Sequence, residues 1–202
     1  MTMKSLLIQE IVPITKSRFK IICEGCSPFV LYKGELSKYR LKAGQELDED
    51  IYNEITDTIL LKRAKSRAMY LLQKKDYTES QLRTKLQDGF YSDEIIDQVV
   101  EFLYGYHYLD DRRYAEQFLA IHGSEFTRSQ IKTKLYQRGV PSELIDELLE
   151  DFDLTDEKIL INKIIEKKRF DRSNADEKER NRMVRHLLSK GFSYNVIRDL
   201  IF

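Results

Sequence analysis

Cys23 and Cys26 stand two residues apart, a spacing at which paired thiols can hold half of a zinc site or cycle through a disulfide. Each of those chemistries needs more than the pair. A zinc site needs a second pair of ligands, and the chain has no further cysteine. Its three histidines, His107, His122 and His186, are far from the thiols and from one another in sequence. A redox pair needs the start of a helix that follows a strand. Cys23-Glu24-Gly25-Cys26 falls instead between two strand-like runs, so the expectation is two reduced thiols beside a turn, with no metal and no cofactor. The chain also has no GxxxxGK phosphate loop and no HExxH motif. Its many carboxylates fall at helix caps and on helix faces, not at spacings that suggest a metal-assisted nuclease. The residues point to a binding protein rather than an enzyme.

Charge is the remaining resource, and it is unevenly placed. Lysine plus arginine and aspartate plus glutamate number 34 each, so the chain has no overall basic excess to advertise a nucleic-acid partner. From Ile159 to Phe202, however, 11 basic residues face 6 acidic ones. Lys167, Lys168, Arg169 and Arg180 belong to this stretch. It reads either as a solvated face or as a surface for phosphates, where each contact would add salt-sensitive affinity.

The elements that must position these residues change character near residue 48. Ser5–Val12 and Ser17–Cys23 read as strands, and CSPFVLY reads as a third, joined to the second by a two-residue Glu24-Gly25 turn. Leu41-Lys42-Ala43-Gly44 reads as another turn. From Asp48 the apolar period becomes helical, with Ile51, Ile55, Ile59 and Leu60 on one face. A small β-rich module over 1–47 is therefore expected, and its removal is expected to leave the helices folded. With 3 prolines and 8 glycines in 202 residues, the rest should be helix-rich. The apolar runs are too short to cross a bilayer, and no cleavage site follows the N-terminal run, so a cytoplasmic protein without a membrane partner is expected.

The helical part repeats. Thr78-Glu79-Ser80-Gln81 and Thr127-Arg128-Ser129-Gln130 both fit the capping box, in which threonine accepts from a backbone N–H and glutamine reaches back. Leu82/Leu86 and Ile131/Leu135 form an i, i+4 seam, and Gly89 and Gly139 are expected to close the helices as C-cap glycines. Ile95, Ile96, Val99, Val100 and Leu103 match Leu144, Ile145, Leu148, Leu149 and Phe152 at an offset of 49. A weaker third copy carries Met183, Leu187, Gly191, Val196, Ile197, Leu200 and Ile201, with a cap within Asn174–Glu177. Leu109-Asp110-Asp111 and Leu154-Thr155-Asp156 are matching caps of a helix that precedes each pair. The fold class is mainly α: three tandem three-helix repeats, expected to stack as a curved solenoid, behind the β-rich module. The boundaries are 48–107 for a linking helix and the first repeat, 108–153 for the second, and 154–202 for the third, basic one.

Tyr104-Gly-Tyr-His-Tyr-Leu-Asp-Asp-Arg-Arg-Tyr-Ala-Glu-Gln-Phe118 resembles the signature of the RecX family, bacterial regulators of the RecA recombinase. KSRAMYLLQKKDYTESQLRTKL is similar to that family's first repeat, and IKTKLYQRGVPSELIDELLED to its second. The resemblance is strongest from Lys65 to Asp151 and fainter beyond. In a departure from strict repetition, Gly89 sits one place earlier in its copy than Gly139 does. What the resemblance implies is a monomer that binds the RecA–DNA filament in its helical groove and depresses ATP hydrolysis and strand exchange. It would bind single- or double-stranded DNA only weakly. The rival reading is a helical-repeat nucleic-acid-binding protein with no recombinase partner.

Within the signature, Leu109 is read as a core staple, the aspartates as caps and Tyr114 as a packing residue, which leaves Arg112 and Arg113 freer for a partner. Aligned by their seams, Lys85, Lys134 and His186 occupy one equivalent position, and Arg138 and Lys190 another one turn on. They are expected to give a shallow basic stripe beside the apolar seam, extended by the cationic third repeat; Arg128 and Lys132 of the second repeat are further candidate contacts.

Overall fold

The computed structural model describes residues 5–151 and 156–202. Strands β1 (Ser5–Pro13), β2 (Arg18–Cys23), β3 (Phe29–Tyr32) and β4 (Glu46–Asp48) form one sheet in the order β3-β2-β1-β4. Every pairing is antiparallel; Ile11 faces Ile21 and Phe19 faces Leu31. The turn between β2 and β3 is longer than the expected two residues. Gly25 takes a left-handed φ of 81°, but the ladder resumes only at Phe29, because Pro28 has no N–H to give it. Two elements escaped the sequence reading: β4, and the six-residue helix α1 (Lys33–Lys38).

Helix α2 (Glu49–Glu54) starts where the period changes, with Asp48 accepting from the Asp50 N–H at 2.8 Å. It runs on through a π-helical segment, Ile55–Leu60, into α3 (Leu61–Leu72). The apolar spacing explains the π turn. Ala64 and Ala68 follow Leu60 at intervals of four, but Leu60 follows Ile55 at five, and all four are buried. An unbroken α-helix would turn Ile55 away from Leu60; widening one turn keeps both inside.

The first repeat continues with α4 (Glu79–Gln87) and α5 (Asp93–Gly105). The second comprises α6 (Asp111–His122), α7 (Arg128–Tyr136) and α8 (Ser142–Asp151). The third comprises α9 (Glu157–Lys168), α10 (Glu177–Ser189) and α11 (Tyr194–Ile201). Thr78 and Thr127 form the expected capping boxes with Gln81 and Gln130, and both threonines are buried. Asp176 does the same for α10 with Glu179, and Asp156 caps α9. Leu154, Thr155 and the expected seam residue Phe152 lie outside the described residues.

The C-terminal turns of α4, α7 and α10 share one hydrogen-bond pattern. Tyr91 N–H reaches the Leu86 carbonyl at 3.4 Å, Val140 the Leu135 carbonyl at 3.2 Å, and Phe192 the Leu187 carbonyl at 3.3 Å. Such a turn needs a left-handed residue before the donor. Gly139 (φ 81°) and Gly191 (φ 80°) supply it in two copies, but in the first the residue is Phe90 (φ 63°), not Gly89. Gly89 is needed for space: a Cβ there would stand 2.9 Å from the Tyr91 ring.

Packing divides the chain into two compact units, Met1–Asp110 and Asp111–Phe202. In the first, the inward residues of the sheet (Ile8, Ile21, Leu31, Leu47) share one buried cluster with Ala64, Ala68, Leu82, Leu86 and the α5 residues Ile95 to Leu103. The core does not break at the 47/48 boundary suggested by the change of period. Sheet and first repeat bury the same surface. In the second unit, Ala115, Leu119, Ile131, Leu135, Ile145 and Leu149 form one cluster, and Leu160, Ile161, Met183, Leu187, Ile197 and Ile201 another.

Candidate partner-binding surface

In the second repeat, Phe126 is the residue before the Thr127 cap and packs against the repeat's core. That placement holds its ring at the surface end of α7. The Lys134 ammonium lies 4.4 Å from its centroid, two helical turns along. The Arg138 guanidinium lies 4.7 Å from the Phe118 ring and donates from Nη1 to the Lys134 carbonyl at 2.9 Å. His122 joins the two aromatics, 4.6 Å from Phe118 and 5.6 Å from Phe126, with Nδ1 3.0 Å from Glu125. Two cations thus stand over the outer two of three neighbouring rings, each contact contributing about 0.5–1 kcal/mol at such a site.

The row continues into the third repeat. Phe126 shares a cleft of about 300 Å³ with Lys163, Lys190 and Phe192. There Gly191 comes close to the second repeat: a Cβ on it would lie 3.3 Å from the Ser129 hydroxyl. Beyond, Lys168, Arg169, Arg182 and His186 line a cleft of about 560 Å³. Arg169 closes α9 in a left-handed conformation, φ 52°. Burial holds the His186 imidazole below its usual pKa, and the charges of Lys168 and Lys190 lower it further. Both effects disfavour the charged form of the ring. Its Nε2 and the Arg180 Nε are buried without a hydrogen-bond partner among the described residues. Lys167 is exposed on the last turn of α9.

Other expected contact residues are held by their own repeat. Lys132 pairs with Asp146 at 2.6 Å, joining α7 to α8. Arg83 and Asp97, each 49 residues earlier, make the same strut at 2.7 Å between α4 and α5. Arg128 donates to the Leu149 carbonyl near the end of α8. Arg112 reaches Glu147 at 2.6 Å and Glu116 at 3.9 Å, so it is not the free cation the signature suggested. Arg113 is exposed and likewise has an interaction partner. Lys85 is exposed, 3.3 Å from Asp88, and belongs to the first unit. Leu109 and Asp111 are buried, and Tyr114 packs on the second repeat's core.

Phe118, His122 and Phe126 were missed in the sequence; Lys163 belongs to the basic surplus of the third repeat. The available signal was the aromatic immediately before each threonine cap, Tyr77 and Phe126, each with a lysine over its ring.

The thiols are free, Cys23 buried and Cys26 half-buried. A hydrogen bond from Cys23 pulls the Cys26 thiol down to about 7, against the effect of burial and with help from Tyr52. The same bond and burial push Cys23 up. Among the described residues no group of three or more histidine, cysteine or carboxylate side chains could hold a metal ion. Nor is any described helix long and apolar enough to cross a membrane.

Comparison with known proteins matches the repeats one by one. The first three-helix domain of RecX matches residues 64–103, the second 110–149 and the third 159–201. The regulatory protein RecX of Clostridium tetani is 32% identical over 167 residues, 81% of this chain and 77% of that one. That of Clostridium acetobutylicum is 38% identical over 79 residues, 39% of this chain and 37% of the relative. A crystal structure of regulatory protein RecX shares 27% identity at a TM-score of 0.61, covering 96% of this chain and 99% of the other.

Proposed function

This chain belongs to the RecX family, and from that premise we propose that it modulates, chiefly by inhibition, a RecA recombinase. It does so without catalysis, by binding the RecA–DNA filament through the basic, aromatic-backed band of the second and third repeats. Bound in the filament's groove, it alters filament stability, ATP hydrolysis and strand exchange.

The observation that carries this reading is the continuity of the band. Arg138 and Lys134 lie over the Phe118 and Phe126 rings, Phe126 lines a cleft with Lys163 and Lys190, and Lys168 lines a second cleft of the same unit. Cations fixed on rings lose less conformational entropy on meeting a partner than free lysines do. An anionic partner, DNA phosphate or acidic protein loop, is drawn to such a band over roughly a Debye length.

The test is charge reversal. Lys134→Glu with Arg138→Glu should weaken binding to RecA–DNA filaments about tenfold or more at low salt. The fold should survive, since each lost ring contact is about 1 kcal/mol or less. Glu150→Lys is the control, because Glu150 is exposed and Glu147 is tied to Arg112. Parental binding by the double reversal would remove the band from the interface. Inhibition of recombinase ATPase that vanished in excess free DNA would favour plain nucleic-acid binding; inhibition that persists well below one molecule per recombinase subunit supports filament binding.

A further inference from the structure

A second set of cations lies wholly within the unit made by the sheet and the first repeat, and the band does not use it. Arg18 of β2, Arg63 and Arg67 of α3, and the rings of Tyr32, Tyr70 and Tyr91 line a cleft of about 470 Å³. Arg63 is a strut: it donates to the Val30 carbonyl at 2.9 Å, pairs with Glu35 at 2.5 Å, and lies 4.6 Å from the Tyr32 ring. Arg18 and Arg67 are different. Neither has a carboxylate partner among the described residues, and Glu35, the acid beside the cleft, answers Arg63. Two further cations flank the opening. Lys20 stands 4.6 Å from the Phe90 ring, and Lys74 5.3 Å from that of Tyr70. Burial raises the Tyr91 phenol pKa, and the charges of Arg63, Arg18 and Arg67 pull it part of the way back.

Backbone strain marks the same place. Where the other two repeats turn on a left-handed glycine, this one turns on Phe90 at φ 63°. A residue with a Cβ there costs about 1–2 kcal/mol. Glycine is present one position earlier, where it lets the Tyr91 ring approach, and the strained position has gone to an aromatic that lines the cleft. Strain retained at a lined cleft points to function rather than packing.

We propose that this cleft binds a nucleotide, its phosphate between the guanidinium groups of Arg18 and Arg67 and its base on the ring of Tyr70. Tyr70 is 51% exposed, and the Arg67 guanidinium is 5.8 Å from its centroid, so ring and cation present themselves together. Guanidinium groups match phosphate geometry, and a base stacked on an aromatic adds about 1–3 kcal/mol. Duplex DNA offers phosphate with its bases already stacked inside. An acidic peptide offers charge without a planar base. The nucleotide is therefore either free or part of a single strand. The proposal does not rest on the recombinase reading, and its test contains no recombinase.

The chain has no tryptophan, and 3 of its 12 tyrosines, Tyr32, Tyr70 and Tyr91, line the cleft, so the part of a change in tyrosine emission that is lost in Tyr70→Ala reports on the cleft. Four probes are titrated: a single strand of about 12 nucleotides, an abasic strand of equal length, adenosine monophosphate, and oligoglutamate. The intact strand should quench emission and bind about tenfold more tightly than the abasic strand. Adenosine monophosphate that displaces the strand assigns the free nucleotide; strand binding that it leaves untouched assigns the single strand. Arg18→Glu and Arg67→Glu should each weaken binding about tenfold with the thermal melt unchanged, and Tyr70→Ala should abolish the preference for intact over abasic strand. Phe90→Gly, which relieves the backbone, should melt no lower than the parent yet bind more weakly. Equal binding of intact and abasic strands, equal binding of oligoglutamate, or no binding of any probe would overturn the proposal. So would loss of strand binding in the Lys134/Arg138 reversal but not in Arg18→Glu or Arg67→Glu.

Discussion

The first repeat and the second are built from the same seam, cap and closing turn, yet they are stabilised differently. The first shares its buried face with a four-stranded sheet, in one cluster from Ile8 to Leu109. Among the described residues, the second and third each close a smaller cluster of their own. A three-helix repeat cannot bury all its apolar surface alone. The comparison teaches that the same three helices are completed in two ways: a sheet shares the core of the first copy, while the second and third copies each keep a core of their own. It also separates their roles. The unit with divided cores carries the Lys134 and Arg138 band.

The comparison is broken most directly by deleting residues 1–45. Ala64, Ala68 and Ile55 would lose their cover, so the first repeat should no longer melt cooperatively, while the second unit keeps its helical signal. Circular dichroism on the deletion protein reads this, and an unchanged, single cooperative melt would show that the sheet is dispensable. A smaller effect comes from single cavities. Leu31→Ala and Ile145→Ala, both at fully buried sites, should each cost about 2–5 kcal/mol. Hydrogen exchange should then show loss of protection in α3 and α5 for the first and only in α6 to α8 for the second. Spread of either effect across both units would merge what the cores divide. Smallest is the loss of a cap. Thr78→Ala and Thr127→Ala should each cost about 1 kcal/mol, read from denaturant midpoints, because the hydroxyl of each accepts from a backbone N–H at 3.2 Å. A clear difference between them would show that the sheet, not the cap, sets the start of α4.

The repeats were legible because their signals are local. A threonine with glutamine three residues on, a leucine seam and a closing turn recur at a fixed offset, and each acts within a few residues of itself. The short elements were not. Helix α1 and β4 have too few residues to show a period, and both are held by what packs on them. Phe90 was passed over because glycine stood beside it, and only the aligned turns show which residue is left-handed. The candidate surface was half legible. Lys134 and Arg138 could be placed from the seam, but Phe118 and Phe126 sit on either side of a turn, and their meeting through His122 is a product of folding. Lys132 looked free because its acid lies 14 residues on; the same interval from Arg83 to Asp97 in the earlier copy was the clue.

The widened turn at Ile55–Leu60 has a genetic consequence. In an ordinary helix the loss of one codon rotates everything beyond it by about 100° and turns buried residues outward. Here the chain already holds one residue more than an α-helix needs between its sheet-facing and repeat-facing halves. Dropping a residue from within 55–60 can tighten the π turn to α and leave Ile51 and Ala64 facing as before. This helix is a site where the gene can shorten by three bases without scrambling the core, a slack that α3 beyond it does not have.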